Sequence, residues 1–278
     1  METAPTRIMG IVNRTPDSFY ADSRSALHSV DVGDALRMVD EGADILDIGG
    51  ESSRPGSSYV TADEEIRRVV PFISALRRCS KVLISVDTRK AIVAESALDA
   101  GADIINDISA LRDDPDLAVL AAERGVTVVL MHMAGTPETM QQNPRYTDVV
   151  SEVESFLLDA ADRAVSAGID PGRIILDPGI GFGKTLKHNI ALVHAIPRLR
   201  SHGFRVLLGL SRKGMIGAIA GSEESPVPVE DRLAGSVVAN VIGARLGADI
   251  VRVHDVAATR QGLAAARALK WGEYGELA

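Results

Sequence analysis

The chain has 278 residues, a formal net charge of −8, 46% hydrophobic residues and 24% charged ones. That length allows one large α/β domain or two ordinary ones, and the acidic balance without a basic block argues against a nucleic-acid backbone as partner. No apolar run is long enough for a membrane span, METAPTRIMG lacks the charged-then-apolar build of a signal peptide, and the single cysteine, Cys79, leaves no disulfide framework or thiolate metal cluster; a cytoplasmic globular protein is expected.

In chain order, eight short apolar runs read as strands: 7–13, 45–50, 81–88, 104–109, 126–132, 173–179, 205–211 and 250–256. Amphipathic stretches separate them, clearest at 147–168, where Val149, Val153, Phe156, Leu157, Ala160 and Ala164 recur at helical spacing. Thr61 followed by Glu64 offers a capping box for the helix that opens on EIRRVV. One phrase is written three times, EGADILDIGG, AGADIINDIS and LGADIVRVHD, and in each a glycine ends a helix just before a β-branched run. Buried strands alternating with helices argue for a parallel sheet, and eight units suit a (β/α)8 TIM barrel in one domain with its core over roughly 7–270; an open doubly wound sheet is the alternative. Polar loops at 14–28, 51–60 and 133–146 follow strands, where a barrel carries its function.

The residue five beyond each repeated glycine is Asp47, Asn106 or Arg252, which places the three at similar heights near strand ends. Other strand ends carry Asn13, Asp87, Asp177 and Ser211, with Lys213 two residues further and His254 beside Arg252. Each Asp or Asn alone could cap the next helix, but caps need neither Lys213 nor Arg252 and His254. Asp87, Asn106 and Asp177 suit a flat heterocycle with adjacent N–H donors, whereas Arg252, His254 and Asn13 suit an anion such as phosphate, assisted by a metal ion. GIGFGKT resembles a phosphate loop, but Pro178 stands where the first glycine is needed; GLSRKG is no nucleophile elbow, since Lys213 replaces the required glycine; no GxGxxG opens the chain. His132 reads as a packed structural histidine, and Met131, Met133 and Phe182 as either core or flanks of a flat ring.

These residues resemble the dihydropteroate synthase family, transferases of folate biosynthesis that sulfonamides inhibit. The resemblance runs from Ile8 to about Ala266 through MGIVNRTPDSF, DIGGESSRPG, SVDT, INDIS, LMHMAGTPETMQ, DPGIGFGKT, GLSRKGMIG and RVHDV. It implies a TIM barrel that joins 6-hydroxymethyl-7,8-dihydropterin diphosphate to p-aminobenzoate and releases dihydropteroate and diphosphate. By this similarity Asp87, Asn106, Asp177 and Lys213 hold the pterin with Met131 beside them, and Asp47 and Phe182 count among the substrate-binding residues. Arg252, His254 and Asn13 face the diphosphate, Asn13 on the side of a magnesium ion (Mg2+). Ser53, Arg54 and Pro55 of the second loop and Phe19 of the first cover the aminobenzoate, whose carboxylate lies near Ser211. The same resemblance implies that Asp177, Lys213, Arg252 and His254 are the catalytic set.

The first loop departs from the family's usual SFSDGG: the chain reads SFYADSR, with Ala21 where aspartate is expected and Asp22 after it. Ser53 stands where threonine is common. A pterin-dependent methyltransferase and a non-catalytic pterin-binding paralogue are the rival readings. The family usually forms homodimers, and the Ala- and Val-rich stretches 231–247 and 256–269 are the expected interface.

Overall fold

The computed structural model describes residues 5–14, 30–52, 56–57 and 59–269. Its strands are β1 (Arg7–Asn13), β2 (Ile45–Gly49), β3 (Leu83–Asp87), β4 (Ile104–Asp107), β5 (Thr127–Met131), β6 (Ile174–Asp177), β7 (Arg205–Leu208) and β8 (Ile250–Val253). All pair in parallel and in sequence order, and β8 returns to β1, so the sheet closes into a barrel. The open doubly wound alternative is thereby excluded. Around it lie α1 (Gly33–Asp40), α2 (Ala62–Cys79), α3 (Ala91–Asp99), α4 (Asp116–Arg124), α5 (Val149–Ser166), α6 (Leu186–His194), α7 (Ile196–Arg200), α8 (Gly214–Ala220), α9 (Leu233–Arg245) and α10 (Val256–Ala268). Seven of the eight strands end one to three residues earlier than the apolar runs suggest, because the residues beyond them turn into the rim.

Strand periodicity divides the core in two. Outward residues such as Ile8, Leu46, Ile84, Ile105, Leu130 and Val251 meet the helices in one large cluster. Inward residues Met9, Ile45, Ile104, Val129, Ile175, Leu207 and Ile250 form a separate one inside the barrel.

The three-fold phrase has a structural cause at the bottom of the barrel. Asp44, Asp103 and Asp249 each use their backbone N–H on the strand before, reaching Ile8 O at 2.8 Å, Ile84 O at 2.7 Å and Val206 O at 2.8 Å. Each also accepts, through Oδ2, the N–H of that same residue at 2.8, 2.9 and 2.9 Å. An arginine completes every clamp: Arg260, Arg77 and Arg200 pair with the three aspartates and donate to the carbonyls of Gly42, Gly101 and Gly247. Those glycines have φ of +100°, +110° and +104°, and a Cβ on any of them would press into its arginine. The device therefore locks β1 to β2, β3 to β4 and β7 to β8. Gly168, φ +102°, begins a fourth copy, but a three-residue 3-10 turn, Pro171–Arg173, intervenes and Asp170 caps that turn instead.

The capping expectations are half met. Thr61 Oγ1 accepts from Glu64 N at 3.4 Å, but the Glu64 carboxylate is drawn to Arg67 and Arg68 rather than back to the cap. A reciprocal box forms instead at Thr185 and His188.

Asp249→Ala leaves the Val206 N–H without its partner and Arg200 without its counter-ion. Urea unfolding should show a loss of about 2 kcal/mol, with kcat/KM unchanged because the clamp lies at the opposite end from the polar rim; unaltered stability would refute the clamp.

Candidate active site

One strand period above the inward isoleucines of the even strands stand Asp47, Asn106, Asp177 and Arg252, a polar layer stacked on an apolar one. The layer is wired together. Asp47 is fully buried, and its Oδ2 accepts from Arg252 Nε at 2.6 Å and from Asn106 Nδ2 at 3.0 Å. The other end of the guanidinium donates to Asp87 Oδ2 at 3.0 Å. The three residues placed at one height by the repeated glycine thus meet in the barrel axis.

Charges so deeply placed must neutralise one another. Burial, followed by repulsion from Asp47, pushes the Asp87 carboxyl up to about 7, although Arg252 pulls it down. Burial works against the Arg252 charge, yet Asp47 and Asp87 more than offset it and raise its pKa. Asp47 Oδ1 is buried without a hydrogen-bond partner.

Asp177 ends β6 with its Oδ1 accepting from Gly179 N at 2.7 Å. Burial raises its pKa, while the Gly179 N–H and then Lys213, Lys184 and Arg252 draw it back. Neither it nor Asp47, Asp87 or Asn106 caps any described helix, so the capping alternative fails for all four. Lys213 stands at the start of α8 with Nζ 4.2 Å from the centre of the Phe182 ring. Burial lowers its pKa to about 8 against the attraction of Asp177. Met131 and Phe182 join Ile108, Met133 and Met140 in an apolar wall.

On the anion side, Ser211 is buried; its Oγ accepts the His254 N–H at 3.1 Å and lies 3.1 Å from His254 Nδ1. Asn13 is exposed at the end of β1, in register with Gly49. Phe19, Ser53, Arg54 and Pro55 lie outside the described residues, as do Ala21 and Asp22. The site therefore offers carboxylate and amide acceptors for N–H donors, an ammonium and a guanidinium for acceptors or anions, and flat apolar flanks.

Two groups were not legible as site residues. Lys184 hides in the GFGKT fragment that fails as a phosphate loop, and is buried against His132 with Nζ 2.9 Å from its Nδ1. His132, edge-on to Phe156 at 4.8 Å, is the packed histidine expected; burial, then Lys184 and Arg112, lower its pKa to about 3. At the root of the second loop, Lys90 Nζ bridges Glu51 at 2.5 Å and the fully buried Glu65 at 2.6 Å, and Arg89 holds Glu51 at 2.6 Å. Their signal was faint: Glu65 sits four residues before Val69, on the buried face of α2.

The family described as "Pterin binding enzyme" matches residues 9–254. A dihydropteroate synthase of Neisseria meningitidis serogroup C is 46% identical over 269 residues, 95% of this chain and 92% of that protein. A solved Xanthomonas albilineans dihydropteroate synthase with 4-aminobenzoic acid superposes with a TM-score of 0.86 at 46% identity, covering 96% of this chain and 94% of that one. Another, in complex with 7,8-dihydropteroate, gives 0.83 at 43% identity over the same shares. By fold, sequence and site composition together, this chain belongs to the dihydropteroate synthase family of pterin-binding transferases of folate biosynthesis.

Proposed function

We propose that this chain joins 6-hydroxymethyl-7,8-dihydropterin diphosphate to p-aminobenzoate, giving 7,8-dihydropteroate and diphosphate. The observation that carries the reading is the wired polar layer, in which acceptors for a flat ring and cations for an anion share one barrel mouth. The bound 4-aminobenzoic acid and 7,8-dihydropteroate of the Xanthomonas structures support the choice of substrates.

In this reading Asp87, Asn106 and Asp177 take the N–H groups of the pterin, Lys213 meets a ring acceptor, and Phe182 and Met131 flank the ring. Entry of the pterin redirects Asp87, so Arg252 turns part of its charge from that carboxylate to the diphosphate. The bond from the methylene carbon to diphosphate oxygen breaks, the arylamine nitrogen forms its bond to that carbon, and one amine proton passes to solvent. The Asp177 carboxylate stabilises positive charge spreading from the methylene into the ring, while Arg252 and His254 receive the negative charge on the departing group. A weak arylamine nucleophile favours a largely dissociative course. Ser211 reads the aminobenzoate carboxylate, and the second loop, rooted on Glu51 and tied to the β5 loop by Gly56 N–Pro137 O at 3.2 Å, covers it.

Among the described residues no group of three or more His, Cys, Asp or Glu is arranged to hold a metal. A single exposed amide, Asn13, fits a magnesium ion carried mainly by diphosphate and water, since this cation keeps its waters and binds through substrate phosphates. When bound it would supply charge neutralisation at the leaving group.

The proposal extends to a cytoplasmic homodimer. No helix among the described residues is long and apolar enough to cross a membrane. The α9 helix is apolar on most sides, yet Leu233, Val238 and Ile242 are exposed, which calls for a covering surface.

The direct test is product formation from pterin diphosphate, p-aminobenzoate and Mg2+; pterin binding without product would overturn the catalytic reading. Lys213→Ala should weaken pterin binding by at least about tenfold, roughly 1.4 kcal/mol, and calorimetry returning parental affinity would remove that residue from the site. Arg252→Ala should lower diphosphate affinity and also stability, by about 3–5 kcal/mol, because Asp47 is left buried without its counter-charge. Sedimentation should give twice the chain mass, and a monomer at micromolar concentration would refute the interface.

A further inference from the structure

Lys184 is buried between the end of β5 and the loop after β6, and no step of the proposed reaction uses it. Its Nζ faces three acceptors: His132 Nδ1 at 2.9 Å, Phe182 O at 3.0 Å and His132 O at 3.4 Å. Three acceptors match the three N–H bonds of an ammonium, whereas a neutral amine has two. The lysine thus ties the end of β5 to the residue whose ring lies under Lys213. The same loop is fixed from outside by Gln141 Nε2 on Gly181 O at 2.7 Å and Tyr146 OH on Gly183 O at 2.9 Å. At Gly179, φ +65°, a Cβ would fall 1.9 Å from His132 O, so the contact between the two loops is closed to any other residue.

We infer that Lys184 is a positioning residue for the pterin: it holds the Phe182 carbonyl and the 178–183 loop against β5, and its charge adds to that of Lys213 in stabilising the Asp177 carboxylate. The inference rests on the proposed function. Its electrostatic half follows from the surroundings of Asp177, which accepts the Gly179 N–H at 2.7 Å and whose carboxylate is favoured by the charges of Lys213 at the start of α8, Lys184 on its own loop and Arg252 on β8. The His132 ring, neutral between Lys184 and Arg112, adds no charge. Burial brings Lys184 itself down to about 7, with Asp177 opposing and Lys213 reinforcing the drop, so below neutral pH it carries its proton. Removing that charge leaves Asp177 with one fewer cation, and its pKa must rise.

The test titrates 6-hydroxymethylpterin into the full chain and into Lys184→Met and Lys184→Gln across pH. The Met variant keeps the apolar stem without charge or donor; the Gln variant keeps a donor without charge. Both should bind the pterin about tenfold more weakly at neutral pH, and the loss of affinity on acidification should begin at higher pH than in the parent. Asp87 contributes the same acid limb to all three proteins, because its neighbours Asp47, Arg252, Glu65 and Asp107 are unchanged, so the difference reports Asp177. Parental affinity and an unmoved acid limb in a folded variant would overturn the inference. So would weaker binding with an unmoved limb, which is mere loosening, or loss of fold in both variants, which assigns Lys184 to stability. Failure of the parent to bind the pterin would instead overturn the proposed function, and this inference with it.

Discussion

A desolvated charge has to find its opposite within a few ångströms, and in this barrel that constraint organises everything above the apolar plug. Asp47 has no water to turn to, so its oxygen gathers Arg252 and Asn106, and the guanidinium gathers Asp87 in turn. The result is a set of groups aimed before any ligand arrives, in a medium where reorientation is costly and alignment is worth most. The arrangement also carries a cost: burial and repulsion from Asp47 push the Asp87 carboxyl up to about 7, against the pull of Arg252.

Strand period and loop interlock share the work of aiming. The period of two sets which residues face inward, and the three bottom clamps keep β1–β2, β3–β4 and β7–β8 from slipping by one, a slip that would send Asp47 or Asn106 into the helix layer. Beyond the strand ends the clamps have no reach. There the β6 loop is held by the β5 loop, through Gly179 against His132 and through Lys184, so Asp177 is placed by loop packing as much as by its strand.

Much of this was written plainly in the sequence. Eight apolar runs with glycine-terminated helices between them lead to a closed parallel barrel, and equal spacing from a repeated glycine puts Asp47, Asn106 and Arg252 at one level. What the spacing could not give was contact: that Asp47 faces its equivalents across the axis is a property of closure, which no local window contains. The aspartate of each GAD read only as part of a turn, because its partners lie on a different strand and a distant helix. Lys184 carries no signal of its own in GFGKT, because its side-chain partner, His132, lies 52 residues away and is invisible to any motif.

The clamp closed by Arg260 joins the last helix to the first two strands, since its partners are Gly42 and Asp44. The seam of the barrel lies between β8 and β1, so sealing it requires chain segments some 240 residues apart. While the polypeptide is being synthesised, the earlier strand pairs can form as they emerge, but the ring stays open until β8 has left the ribosome, and the β1–β2 clamp waits longer still for Arg260. Closure therefore waits on β8, and a polypeptide that stops short of residue 250 keeps raw strand edges on β1 and β7 exposed to its neighbours.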